Sequence, residues 1–161
     1  MLTLTSPAFS HDGPIPRAHT CDGADQSPPL AWSGVPAAAK TLALVVDDPD
    51  APGRTFVHWV LYGLPSSATG LPTGVPREAQ LTKPVTAVQG ANDFRRTGWN
   101  GPCPPPGPAH RYVFTLYALG VETCPVEGSF RGADLLKAIQ PHVLGSAKLT
   151  GTYSLNPAVK A

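Results

Sequence analysis

With 161 residues, a formal net charge of +1 and only 14% charged residues, the chain is expected to form one domain, residues 1–161, with a sizeable core. The basic residues are few and scattered, which excludes the electrostatic footprint of a nucleic-acid binder. The 20 prolines and 16 glycines are spread between apolar runs, so they punctuate strands and loops rather than mark disorder.

The opening residues Met1–Pro7 hold no basic stretch followed by an apolar one. No apolar run approaches the ~20 residues of a membrane-spanning helix, so a cytoplasmic location without a transmembrane segment is expected. Residues 2–9, LTLTSPAF, alternate weakly and predict an edge strand, the setting that tolerates Pro7. Residues 11–27 read as loop, with Asp-Gly steps and prolines. Residues 27–33, SPPLAWS, read as extended because each proline pushes its predecessor towards β geometry. Trp32 is a candidate core anchor.

Residues 42–65, LALVVDDPDAPGRTFVHWVLYGLP, are the centre of the prediction. Leu42–Val46 and Phe56–Tyr62 are short, rich in β-branched and aromatic residues, and read as adjacent buried strands. Asp47, Asp48 and Asp50 lie just past the first run and His58 lies just inside the second, so carboxylates and an imidazole are candidates to face one pocket. Pro49 and Pro52 stiffen the turn between them.

Residues 65–81 form a long connection rich in Pro, Gly, Ser and Thr, and residues 83–89 predict a short strand. Residues 90–109 are the most irregular segment, and a loop that long in a compact domain usually has a use. Arg111–Leu119 alternates and predicts a strand. Residues 131–140 place Leu135, Leu136 and Ile139 on one helical face, with Pro141 as the stop. His142–Ala147 is expected to continue as a second helical turn, residues 148–155 as a strand, and Asn156-Pro157 as the start of a tail. The sum is a mainly-β domain, most simply a sandwich, with one or two short helices near the C-terminus.

Cys21, Cys103 and Cys124 are odd in number and contain no C-x-x-C pair, which argues against a disulfide framework and a structural zinc site. Cys21 and Cys103 lie in two polar loops, and a single bridge or redox pair between them stays open.

His110 begins the 111–119 strand, and Tyr112, two residues on, shares its face. If the strands of His58 and His110 are neighbours, Asp48, His58, His110 and Tyr112 meet in one small cavity with Pro104 and Pro105 as a wall. Two imidazoles and a phenol offer donors to an oxyanion, and a nearby Asp favours a charged His or receives an ammonium group. That chemistry suits phosphoethanolamine, phosphate, sulfate or acetate. The same residues are equally compatible with two capped loop histidines and a buried Tyr.

D-P-D-A-P (48–52), F-x-H-W (56–59) and G-x-x-P-P-x-G…H-R-Y (101–112) resemble the phosphatidylethanolamine-binding protein family, which includes the Raf kinase inhibitor protein and its bacterial and archaeal relatives. T-C-D-G (20–23), S-P-P-L-x-W (27–32), N-D-F (92–94) and G-T-Y (151–153) resemble the short bacterial branch in order and spacing. The resemblance covers roughly residues 15–155. It implies a β-sandwich around a central antiparallel sheet with an anion pocket at one end. It carries ligand contacts over to Asp48, Pro52, His58, His110 and Tyr112, with Phe56 where the animal proteins have a Trp at the pocket mouth. Asp50 looks like a turn organiser. The chain departs from the animal pattern in a proline-richer 101–107 loop and in lacking the animal C-terminal helix.

A non-catalytic binder of small anions or phosphorylated head groups is therefore expected, with Pro104 and Pro105 in the pocket, Phe56 and Cys103 at its rim, and no cofactor or resident metal. A kinase or protease is the expected type of protein partner. Two other readings compete. Asp48, His58 and His110 are a ligand set for a metal-dependent hydrolase, and the 65–81 loop is a candidate serine protease inhibitor loop. A Pro-rich surface of low charge also suits a homodimer.

Overall fold

The structure, a computed structural model, describes residues 1–122 and 132–154. The continuous apolar run 42–46 lies in β4 (Thr41–Asp48), buried on both faces, as expected of a strand in the middle of a sheet. It is flanked by β5 (Phe56–Pro65) and β9 (His110–Leu119), both antiparallel to it. The sheet extends through β10 (Val143–Tyr153) to β2 (Gly13–Pro14) on one side. On the other it extends through β8 (Ala87–Gln89) to β7 (Gln80–Leu81). A second sheet of three strands, β1 (Thr3–Thr5), β3 (Leu30–Ser33) and β6 (Gly70–Leu71), covers one face.

The main core lies between the two sheets. Leu42, Leu44 and Val46 of β4, Trp59 and Leu61 of β5 and Phe114 of β9 meet Leu4, Leu30, Trp32 and Leu71 there. Fully burying each such side chain is worth about 1.5–3 kcal/mol. Trp32 satisfies its indole by donating to the Ala68 carbonyl at 2.7 Å. The opposite face of the large sheet carries Ala43, Val45, Val57 and Val60, and α1 (Gly132–Ile139) packs on it through Leu135 and Ile139. Gly132 lets the helix approach closely, because a Cβ there would lie 2.9 Å from Val57. No helix among the described residues is long and apolar enough to cross a membrane.

The predicted sandwich is thus present, with local differences that include the two-residue strands Gly13–Pro14, Gly70–Leu71 and Gln80–Leu81 in segments read as loop. The N-terminal strand is short, Thr3–Thr5, and does sit at an edge. The 83–89 segment pairs only over Ala87–Gln89. Residues 143–147, expected as a helical turn, are strand. A 3-10 turn at Gln140–His142 ends the helix, and Val143–Ala147 then pairs with β9, Val143 opposite Leu119 and Ala147 opposite Leu116. A ladder continuing to Tyr153 outweighs the weak helical pattern of so short a stretch. The strands of His58 and His110 are not neighbours, since β4 lies between them. Cys124, Arg131 and the Asn156-Pro157 tail lie outside the described residues.

Candidate ligand-binding site

Because β4 is central, its end carries Asp48 into the gap between His58 of β5 and His110 of β9. Asp48 faces the inner layer while Asp47 faces the outer one, by ordinary strand alternation. Asp48 is buried, and each of its carboxylate oxygens accepts a hydrogen bond. Its Oδ1 accepts the Asp50 backbone N–H at 2.8 Å, and its Oδ2 accepts His110 Nδ1–H at 2.7 Å.

A β-bulge aims His58. Val46 pairs with Trp59 but Asp47 pairs with Val57, so His58 is the extra residue. The bulge lets the consecutive residues His58 and Trp59 both face the inner layer, while Val57 and Val60 face outward. His58 Nδ1 lies 2.6 Å from the Asn100 carbonyl. A carbonyl only accepts, so Nδ1 carries the proton and Nε2 is the free ring nitrogen. Burial pushes the His58 pKa down against the raising influence of the Asn100 carbonyl and of Asp48, Asp25 and Asp93.

His110 and Tyr112 share a face, as their two-residue spacing predicts, and the Tyr112 ring meets His58 edge-on at 5.2 Å. Burial, reinforced by Asp48 and Asp50, raises the Tyr112 pKa, so the phenol stays a neutral O–H donor. These groups line a cavity of about 160 Å³. Pro52, Pro104, Pro105 and Phe56, the last expected at the rim, are part of its lining. The volume is close to the roughly 150 Å³ that holds a benzene-sized molecule and well below drug-sized pockets.

Cys103, also on the wall, is bonded to Cys21, with Cα atoms 5.4 Å apart and a sequence separation of 82. The sequence argued against a disulfide framework and left this one pairing open; the fold makes it. Asp50, read from the sequence as a turn organiser, uses its carboxylate on the start of β9. It accepts from the Arg111 backbone N–H, Nε and Nη2 at 2.9, 2.9 and 2.8 Å, and these bonds hold its carboxyl down at about 2.

Sequence reasoning assigned no role to Phe94, Asn92, Asn100 or Asp93. Phe94, 40% exposed, contacts Phe56 and His58 edge-on and forms part of the cavity lining. Asn92 shapes its loop: Oδ1 accepts from the Phe94 and Arg96 N–H groups, and Nδ2 donates to Gly98 O and Asn100 Oδ1. Asp93 accepts the Val57 N–H at 2.7 Å and ties the same loop to the bulge. The available signal was an Asn-Asp pair inside an irregular segment, a composition suited to side-chain-capped turns. Among the described residues, no group of three or more His, Cys, Asp or Glu side chains is placed to hold a metal ion.

The family model described as phosphatidylethanolamine-binding protein matches residues 5–154. A UPF0098 protein of Methanothermobacter thermautotrophicus is 48% identical over 152 residues, spanning 94% of this chain and 98% of that protein. A solved structure of Escherichia coli YbcL, described as a member of the mammalian PEBP family, superposes with a TM-score of 0.89 at 34% identity, covering 96% of this chain and 99% of that one. CT736 of Chlamydia trachomatis, described as a putative PEBP homolog, gives a TM-score of 0.85 at 39% identity, covering 96% and 98%. Matches spanning nearly the whole chain in both sequence and fold lead to one conclusion: the chain belongs to the phosphatidylethanolamine-binding protein family.

Proposed function

We propose that the chain, as one domain, binds small oxyanions or phosphorylated head groups such as phosphoethanolamine in the Asp48–His58–His110–Tyr112 cavity without turning them over. The observation that carries this reading is the convergence of two imidazoles and a neutral phenol on about 160 Å³ walled by proline. The volume suits a head group or free anion rather than a whole lipid. The Asp48 contact orients His110, and a protonated His110 beside that carboxylate donates to an anion without leaving a buried charge unpaired.

The competing readings have less support. Cys103, the nucleophile nearest the cavity, is consumed in its bridge. Asp48 Oδ2 is spent on His110 Nδ1 rather than aimed with it at a common ion. The 65–81 loop is tied down along its length. Gly70–Leu71 pairs with β3, Val75 N–H donates to Ser27 Oγ, and Gln89 Nε2 donates to the Pro76 and Glu78 carbonyls. A docked protease would have to accept that loop as it stands. The Cys21–Cys103 bridge weighs against action in a strongly reducing cytoplasm. A kinase or protease partner, and a homodimer, are not needed by this reading.

The test is an NMR titration with O-phosphoethanolamine, following the His58 and His110 imidazole signals. Both signals are expected to shift, and the shifts to vanish in His110→Ala. Unmoved signals in the wild type would refute the reading.

A further inference from the structure

The protons already placed in the cavity restrict which anions fit it. His58 Nδ1–H is used by the Asn100 carbonyl and His110 Nδ1–H by Asp48. Each neutral ring therefore offers the ligand a lone pair at Nε2, not a donor. Asp48 adds a buried carboxyl group, and among the lining side chains the Tyr112 hydroxyl is the donor that needs no added proton. The charged groups acting on His58 are Asp48, Asp25 and Asp93, all acidic, and burial further opposes protonation of its ring. Around His110 stand Asp48, Asp50 with its partner Arg111, and Tyr153 of β10, whose hydroxyl is bonded to Asp22.

A fully ionised tetrahedral anion leaves the His58 Nε2 lone pair facing an oxygen lone pair. An anion carrying its own hydrogen donates that O–H to His58 Nε2. It accepts in return from the Tyr112 hydroxyl and from His110 once that ring takes up a proton. Resting on the anion-binding reading above, we infer that the cavity selects hydrogen-bearing oxyanions, of the hydrogen-phosphate and phosphomonoester-monoanion class, over fully ionised ones such as sulfate.

The test compares inorganic phosphate with sulfate, equal in shape, by calorimetry at pH 7 in two buffers of different ionisation heat. An unpaired buried acceptor is costly enough to predict about ten- to hundredfold weaker sulfate binding. Phosphate binding is expected to take up protons. O-Phosphoethanolamine loses its second proton near about pH 6, so its affinity is expected to fall roughly tenfold per pH unit above that, faster than for inorganic phosphate, which keeps a hydrogen through neutral pH. That contrast also separates a head group from free phosphate as ligand.

In His58→Asn, the amide can keep a donor to the Asn100 carbonyl while the Nε2 acceptor is lost, and the phosphate-to-sulfate ratio should collapse to within about threefold. Sulfate binding within about threefold of phosphate by the wild-type protein, without proton uptake, overturns the inference and leaves the anion pocket standing. An unchanged ratio in a folded His58→Asn overturns it as well. If neither anion gives heat or moves the imidazole signals, the anion-binding reading and this inference fall together.

Discussion

His110 Nδ1 donates to Asp48 Oδ2 at 2.7 Å, joining the start of β9 to the end of β4 across 62 residues of chain. Both side chains are nearly inaccessible, at 12% and 5% exposure. The contact fixes the His110 tautomer and so decides which ring nitrogen meets a ligand. Asp48→Ala removes that acceptor and the one used by the Asp50 N–H. We expect a loss of about 1–3 kcal/mol in urea unfolding and at least about tenfold in phosphate affinity. Wild-type affinity in the variant would show that the pair does not orient the site.

Asn92 is 1% exposed and makes four hydrogen bonds that shape the loop carrying Phe94 and Asn100. It is not itself part of the cavity lining and acts as a positioning residue. Asn92→Ala leaves its backbone partners without it and is expected to cost about 2–4 kcal/mol. The more telling readout is the His58 imidazole signal, which should move because the Asn100 carbonyl that holds it is released. A destabilised variant with an unmoved His58 signal would reduce Asn92 to a loop brace.

Asp47, on the outer face, has its carboxyl pushed up to about 6 by burial, with Lys148 opposing and Asp48 adding to the rise. A carboxyl raised in the folded state makes folding less favourable as pH climbs from its unfolded value near 3.8 through about 6. Asp47→Asn should therefore stabilise the protein by on the order of 1–2 kcal/mol at pH 7, with the gain disappearing below about pH 4. His58 acts in the opposite sense. Its lowered pKa means that the unfolded chain binds more protons below 6.5, so stability declines as pH falls from there. Unfolding curves of Asp47→Asn and His58→Asn between pH 4 and 7 separate these slopes. A gain for Asp47→Asn that persists unchanged at pH 4 would contradict the burial argument.

The Cys21–Cys103 bridge holds the Pro104–Pro105 wall to the loop before β3. Cross-linking residues so far apart restricts the unfolded chain, and Cys21→Ser is expected to cost about 2–4 kcal/mol. Guanidinium unfolding of the variant and of dithiothreitol-treated wild type should agree. Identical midpoints for oxidised wild type and variant would mean that the bridge adds nothing to stability.

Residue order alone was enough to read the mainly-β class, the central strand pair, the 111–119 strand and the short helix before Pro141. These rest on local rules: continuous apolar runs become buried strands, and proline ends helices. Asp48, His58, His110 and Tyr112 were also legible as candidates, because their spacing from strand ends is visible in one dimension. Features that depend on strand pairing came only with the folded chain. Register with β4 created the bulge that puts His58 beside Trp59 on the inner face, where simple alternation sets them on opposite sides. The ladder with β9 made Val143–Ala147 strand. Long-range closure chose Cys21 as the partner of Cys103 and set Asn100 and Phe94 against His58. Such contacts join residues tens of positions apart, and their geometry is set by strand order rather than by the composition of either segment.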